Sequence, residues 1–152
     1  MTAAKRDIEI NVSPENFYSV LVDYEAYPRF LRDVDEVKVH SRDGDNAVIT
    51  QYVKVIKSIG MTIRLEGEVG KKLHWTLQDS KWMVKNDGGW DLEALPDGRT
   101  KATYGVEVEV HIPRLLRKLV PSDLQQRLVE KTFPAMLNQF KDRAESIHPP
   151  VV

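Results

Sequence analysis

The sequence contains no cysteine among its 152 residues. This absence excludes disulfide bonds, thiolate metal ligands and cysteine nucleophiles. The formal net charge is only -1, so the chain as a whole does not attract phosphate and we expect no nucleic-acid partner. No stretch approaches the roughly 18 apolar residues that mark a membrane-spanning helix, and the first ten residues lack the apolar core of a signal peptide. We therefore expect a cytoplasmic protein.

Motifs that mark common catalytic and metal sites are also missing. The four histidines (His40, His74, His111 and His148) show neither HxxxH nor HExxH spacing, and there is no GxSxG elbow or glycine-rich phosphate loop. Where histidines alternate with apolar residues on predicted strands, their rings should face solvent. We expect no cofactor, no metal ion and no catalytic histidine.

The apolar fraction is sufficient for one hydrophobic core. Apolar residues make up 41% of the sequence and charged residues 30%, which is typical of a globular protein. A chain of this length supports one domain and is too short for two comfortable ones. We predict a single domain over residues 1–147, followed by a flexible tail over residues 148–152.

Alternating apolar residues predict a mostly antiparallel sheet. A strand at 7–12 precedes two short helices, which lie within 13–31 and include a serine cap followed by a proline. About six strands follow between residues 34 and 110, separated by turns rich in glycine and aspartate. A Gly-Gly pair at 88–89 predicts a bulge or sharp bend in the strand at 82–95.

The final long segment, Pro121–Ile147, is rich in helix formers. It carries two apolar stripes, which a straight helix would place on roughly opposite sides. The stripes consist of Leu124 and Leu128, and of Phe133, Met136, Leu137, Phe140, Ala144 and Ile147. Pro134 removes one backbone hydrogen bond, so we predict one helix bent near Glu130; two helices are the alternative. Ser122 and Gln125 fit a capping box at its start.

The order of elements is β-α-α-β6-α. Antiparallel strands joined by hairpins, with the helices kept to one side, predict an α+β domain. A long twisted sheet curls, so about seven strands should wrap around the last helix.

Three motifs carry a resemblance to a known family. Residues 27–31, YPRFL, are similar to a YPxFL motif, and residues 140–144, FKDRA, to a helix that ends in FxxRA. Residues 89–100, GWDLEALPDGRT, resemble a GxWxxxPLxDGxT strand-turn-strand, with Ala94 in place of a proline. Over residues 5–146 the chain thus resembles the START/birch-pollen-allergen (SRPBCC) superfamily. Within it, the sequence is most similar to the polyketide cyclase/dehydrase branch, which includes coenzyme Q-binding proteins and ribosome-association toxins.

The resemblance implies a helix-grip fold with an internal cavity under the last helix. Large rings at inward strand positions could simply fill a core, but together they suit the wall of an apolar pocket with a few polar tips. The residues expected to line this cavity are Tyr52, Ile63, Leu65, Trp75, Trp90, Leu92, Tyr104, Val106, Phe133, Leu137 and Phe140. Two carboxylates beside the Gly-Gly pair, Asp87 and Asp91, are candidates for its mouth.

The resemblance further implies binding of a hydrophobic small molecule, such as a lipid, an isoprenoid or a polyketide-like ring. Two other functions stay open. The first is a cyclase or dehydrase that uses the same cavity, with Tyr52, Tyr104 or Asp91 polarising a carbonyl group. The second is a toxin-like interaction protein with a macromolecular partner.

The segment Pro113–Val120, PRLLRKLV, is a predicted short amphipathic helix. Its leucines fall on one side and its three basic residues on the other. The segment could plug one end of the core. Alternatively it could form a mobile lid that makes weak, transient contact with an anionic membrane.

Overall fold

Seven antiparallel strands form one curved sheet in the computed structural model, which describes residues 2–54 and 58–150. The strands are β1 (Thr2–Ile10), β2 (Val34–Asp43), β3 (Asn46–Lys54), β4 (Ser58–Glu68), β5 (Lys72–Ser80), β6 (Met83–Ala94) and β7 (Thr100–Val110). Their order in the sheet is β1-β7-β6-β5-β4-β3-β2. Consecutive strands from β2 to β7 are therefore neighbours, whereas β1 pairs with β7, a strand distant in sequence. The predicted α+β helix-grip architecture is confirmed.

Two short helices connect β1 to β2. Helix α1 (Pro14–Leu21) begins as predicted, because the Ser13 hydroxyl accepts a hydrogen bond from the Asn16 amide at 3.2 Å and Pro14 occupies the first turn. A 3-10 turn (Tyr24–Ala26) then leads into α2 (Tyr27–Phe30).

The C-terminal helix is continuous. It consists of α3 (Leu124–Arg127), a π-helical turn (Leu128–Thr132) and α4 (Phe133–Ile147), with helical dihedrals at each junction. The single helix is therefore confirmed, and the two-helix alternative is wrong. In the π-helical turn the amide of Phe133 donates to the carbonyl of Leu128, five residues earlier. Because a π-helical turn rotates less per residue than an α-helix, it turns the second apolar stripe toward the first.

The predicted capping box at the start of this helix is wrong. The helix begins at Leu124, and no side chain caps it through Asp123. The side chain of Gln125 instead accepts a hydrogen bond from the amide of Val110 at 2.9 Å. Gln125 thus ties the start of the helix to the end of β7.

The glycines at 88 and 89 do not form the predicted bulge, because β6 pairs with β7 in unbroken register through both positions. A Cβ at position 88 would overlap the carbonyl oxygen of Gly105 and lie 2.9 Å from the indole of Trp75. Pairing between β5 and β6 runs only from Lys72 to Trp75, which faces Gly88. The missing side chain at position 88 therefore allows a close approach of Trp75 to the neighbouring strand.

The C-terminal helix lies in the concavity of the sheet. Helix α4 contacts α1, α2 and β1, and Leu128, Leu137, Phe140 and Ala144 are buried in the core. No helix within residues 2–54 and 58–150 is long and apolar enough to cross a membrane. Helix α4 ends at Ile147, and the flexible tail over 148–152 stays a prediction.

Candidate functional site

A partly enclosed cavity of about 60 Å³ lies between the concave face of the sheet and α4. Its walls come from α2, from the five strands β3 to β7 and from the first two turns of α4. The lining residues are Tyr27, Leu31, Ile49, Gln51, Val53, Ile63, Leu65, Leu73, Trp75, Asn86, Trp90, Tyr104, Phe133, Met136, Leu137 and Phe140. Apolar and aromatic side chains dominate this lining, as in small-molecule sites generally.

Edge-to-face ring contacts join the helix to the sheet at the cavity. The Phe140 ring centre lies 5.2 Å from that of Tyr27 and 5.5 Å from that of Trp90. Trp90 in turn contacts Tyr104 at 5.2 Å and Phe17 at 5.4 Å. Such contacts stabilise beyond simple burial, so Phe140 anchors α4 to both α2 and β6.

The polar groups of the lining are few. Tyr27 donates a hydrogen bond to the carbonyl of Leu21, and burial raises the pKa of its hydroxyl well above the usual value. Burial likewise raises the pKa of Tyr104. The Trp75 indole N–H donates to the side-chain oxygen of Asn86 at 3.2 Å. Both phenols therefore remain protonated over the ordinary pH range.

Most of the residues expected at the cavity do border it. The structure places there Ile63, Leu65, Trp75, Trp90, Tyr104, Phe133, Leu137 and Phe140. Two others face the same side of the sheet without bordering the cavity: Val106 is buried in the core, and Leu92 is partly buried against it.

Tyr52 is not at the cavity. It lies on the opposite face of the sheet, where the Lys38 ammonium group is 5.7 Å from its ring centre. Gln51 lines the cavity instead, between Ile49 and Val53. The apolar residues of β3 occur at both odd and even positions, so the sequence does not show which set faces inward.

Sequence reasoning also missed Asn86, Tyr27 and Met136. Asn86 is a single polar residue at an inward position of β6, and only the neighbouring Trp75 explains its burial. Tyr27 belongs to the YPRFL segment that carried the family resemblance, which was a usable signal. Met136 belongs to the predicted apolar stripe of the helix, where it lies one residue before Leu137.

The histidines and the candidate carboxylates lie away from the cavity. His74 is exposed and pairs with Asp91, with 2.9 Å between Nε2 and Oδ1. His40 is exposed beside the Thr50 hydroxyl at 2.6 Å. Asp87 accepts a hydrogen bond from the amide of Leu77 at 3.1 Å, where β5 and β6 diverge. Neither Asp87 nor Asp91 therefore lines the cavity.

The 114–119 segment forms a 3-10 helix (Arg114–Leu119) with no buried residue. Leu115 is 93% exposed and Leu119 is 68% exposed, so neither plugs the core. Arg114 and Lys118 are also exposed. The segment therefore presents two leucines and its basic residues to the outside together.

Solved structures show which folds this chain is similar to. It matches an aromatase/cyclase from Streptomyces sp. R1128 with a TM-score of 0.82 and 17% identity, covering 95% of this chain and 93% of that one. It matches a START superfamily protein from Mycobacterium smegmatis with a TM-score of 0.80 and 19% identity, covering 96% and 99%. A STAR-related lipid transfer protein from Xanthomonas axonopodis matches with a TM-score of 0.72 and 13% identity, covering 93% and 85%. At these identities the likeness is one of fold.

No curated protein matches the chain. The sequence does match a family model, which is more specific than a likeness of fold. A family model described as polyketide cyclase / dehydrase and lipid transport matches residues 10–133. This range runs from the end of β1 to the start of α4 and contains most of the cavity lining. The protein therefore belongs to the polyketide cyclase/dehydrase and lipid transport family.

Proposed function

We propose that the protein binds and carries a hydrophobic small molecule in the cavity between its sheet and α4. The observation that carries this proposal is the composition of the lining, which is apolar and aromatic and, among the described residues, has no charged side chain. Such a lining favours an apolar ligand and offers nothing to an ion. The family description, which names lipid transport, supports the same function.

The volume of the cavity sets a condition on binding. About 60 Å³ is well below the volume of pockets for drug-sized ligands, which span about 300–1,000 Å³. A lipid or a fused-ring compound therefore enters only when α4 or its side chains move outward. The π-helical turn directly before α4 is a place where this helix can change its hydrogen-bond register.

A cyclase or dehydrase reaction in the same cavity is the second candidate. The Streptomyces aromatase/cyclase has the same fold, and the protonated Tyr104 could donate a hydrogen bond to a substrate carbonyl. The described lining contains neither a histidine nor a carboxylate, so catalysis would rest on substrate orientation rather than on a side-chain base. This composition favours carriage over proton abstraction.

We also propose that the 114–119 segment contacts an anionic membrane surface transiently. Its three basic residues have no acidic neighbour within residues 113–120, and Leu115 and Leu119 point outward beside them. At about 1 kcal/mol for each basic residue, the attraction is weak enough for release. Contact with a membrane would bring the protein to its apolar ligand.

The test of carriage combines native mass spectrometry with a titration. In native mass spectrometry, freshly purified protein should release an apolar molecule. If it carries none, it should bind an added isoprenoid quinone. This binding should cause a saturable change in tryptophan emission, because Trp75 and Trp90 border the cavity. Ile63→Phe, which fills the cavity from β4, should weaken quinone binding at least tenfold. Tyr52→Phe is the matched control on the opposite face of the sheet and should leave binding unchanged.

The proposal fails if wild type binds no apolar probe and carries no copurifying molecule. If Ile63→Phe lowers the melting temperature sharply, Leu137→Phe fills the same cavity from the helix side and replaces it. Turnover of a polyketone would instead show that the protein is a cyclase or dehydrase. A specific macromolecular partner without any ligand would establish the interaction protein.

A further inference from the structure

A second pocket, of about 370 Å³, lies outside the cavity, where the chain passes from β7 through the 114–119 segment into the C-terminal helix. We call it the arch pocket. The residues that border it are Val110, His111, Ile112, Arg117, Val120, Pro121, Ser122, Leu124 and Gln125. None of them lines the cavity between the sheet and α4. The volume of the arch pocket falls within the range of small-molecule sites, about 300–1,000 Å³.

Two hydrogen bonds hold the arch pocket in shape. The side-chain oxygen of Gln125 accepts the amide of Val110 at 2.9 Å, and Arg117 Nε donates to the carbonyl of Ile112 at 3.2 Å. All four residues border the pocket, so these bonds fix its two sides. The second bond uses one of the five N–H donors of the guanidinium group and sets the orientation of the others.

Three polar side chains of the arch pocket can donate to a ligand. Within residues 2–54 and 58–150, Arg117 makes no ion pair and its two terminal nitrogens make no hydrogen bond. In the same ranges the side chains of His111 and Ser122 have no hydrogen-bond partner, and no acidic residue borders the pocket. The pocket therefore offers a permanent positive charge and two further donors, without a carboxylate to repel an anion.

A neighbouring groove of about 240 Å³ has a different charge balance. Lys54 and Arg127 border it, but each lies 3.0 Å from a carboxylate oxygen, that of Asp35 and that of Asp123 respectively. The carboxylate of Asp33 also borders this groove. Most of its positive charge is thus compensated, so the arch pocket is the better site for an anion.

Apolar side chains complete the lining of the arch pocket. Leu124 is buried, and Val110, Ile112 and Val120 are half-buried. These side chains would cover an apolar frame attached to the anion. The three donors come from three separate segments of the chain. A phosphate group, with three acceptor oxygens, matches such a set better than a carboxylate, which has two.

We propose that the arch pocket binds a phosphate group carried on an apolar frame, with the phosphate oxygens at Arg117, His111 and Ser122. The phosphate belongs either to a soluble organic phosphate or to the head group of a phospholipid. The second source rests on the proposed membrane contact of the 114–119 segment and deepens it. Arg114 and Lys118 would then supply a general attraction, and Arg117 a specific contact.

Calorimetric titration with phenyl phosphate tests the arch pocket without a membrane. Wild type should bind phenyl phosphate saturably and more tightly than inorganic phosphate, which has no apolar frame. Arg117→Gln should weaken this binding at least tenfold, because it removes hydrogen bonds between charged groups. Arg114→Gln is the matched control and should stay within twofold, since it removes the same charge from the same segment but does not border the pocket.

Ser122→Ala provides a second variant that leaves the charge unchanged. It should weaken phenyl phosphate binding roughly three- to tenfold, the usual effect of one net hydrogen bond to a ligand. The arch pocket is refuted as a phosphate site if wild type does not bind phenyl phosphate saturably. Equal losses in Arg117→Gln and Arg114→Gln would refute it as well, because they would show a general attraction only.

Sedimentation with phosphatidylcholine vesicles that contain phosphatidic acid distinguishes the two sources of phosphate. If the lipid head group occupies the pocket, phenyl phosphate should release the protein, and Arg117→Gln should reduce capture more than Arg114→Gln. If only soluble phosphates bind, phenyl phosphate should release nothing and the two variants should behave alike. Replacing Leu115 and Leu119 with serine should abolish capture and leave phenyl phosphate binding intact. Loss of the membrane contact is therefore distinguishable from failure of the pocket.

Discussion

The rings of Trp90 and Phe140 meet edge to face with their centres 5.5 Å apart, which joins β6 to α4 at the cavity. Phe140→Ala should remove this contact and the contacts of Phe140 with α2. Large-to-small changes at buried aromatic residues cost about 3–5 kcal/mol, and we expect a loss in that range in urea unfolding. Ile147→Ala, at a half-exposed position of the same helix, should cost less than about 1 kcal/mol. Equal losses in the two variants would contradict an anchoring role for Phe140.

The histidines should contribute nothing to ligand binding. His40, His74 and His111 are exposed, and His148 lies beside the Ser19 hydroxyl at 3.3 Å. A variant with all four replaced by alanine should bind an isoprenoid quinone within twofold of wild type, measured by tryptophan emission. A hundredfold loss from any single replacement would show that a histidine reaches the ligand.

Alkaline pH should destabilise the protein through its buried tyrosines. Burial raises the pKa of Tyr27 and Tyr104 in the folded state, while an unfolded chain titrates near pH 10. Below about pH 10 both states keep these protons and stability is at its full value. Above it only the unfolded state loses them, so the unfolding free energy falls by about 1.4 kcal/mol per pH unit for each tyrosine.

Urea unfolding between pH 8 and pH 11 measures this slope. Tyr104→Phe should make it shallower by the contribution of one tyrosine. An unfolding free energy that stays constant up to pH 11 would show that these phenols are accessible to solvent.

Membrane contact through the 114–119 segment should depend on charge and on the exposed leucines. Sedimentation with vesicles that contain anionic lipid should capture wild type, and capture should fall with rising salt. Reversing the charge of Arg114, Arg117 and Lys118, or replacing Leu115 and Leu119 with serine, should abolish it. Reversal of three exposed basic residues of the sheet, Lys38, Arg64 and Lys72, is the matched control. Binding that ignores both lipid charge and the segment variants would refute the contact.

The strength of alternation determined how much could be predicted from the sequence. On β7 the inward residues Ala102, Tyr104, Val106 and Val108 are all buried, because every second position from Ala102 to Val110 is apolar. On β3 both faces carry apolar residues, and the predicted inward position of Tyr52 is wrong. Alternation with a period of two does not show which face of a strand points inward when the residues on both faces are apolar.

Other features depend on neighbours that are distant in sequence. The two apolar stripes of the C-terminal helix indicated a change of direction within it. The form of that change, a π-helical turn, depends on which carbonyl oxygen accepts a hydrogen bond from each backbone amide. The role of Asn86 depends on Trp75 across the sheet. The volume of the cavity depends on how closely α4 approaches the strands, which no local pattern encodes.

The pairing of β1 with β7 has a consequence for the order of assembly during synthesis. Ile10 pairs with Thr100 and Thr2 with Val108, so β1 emerges from the ribosome long before its partner strand. At about 5–20 residues per second, β1 waits roughly 5–20 s with its backbone groups unpaired. The hairpins from β2 to β7 can form in that interval, because each joins consecutive strands. The first strand to be made is therefore the last to join the sheet, and its docking should set the pace of folding.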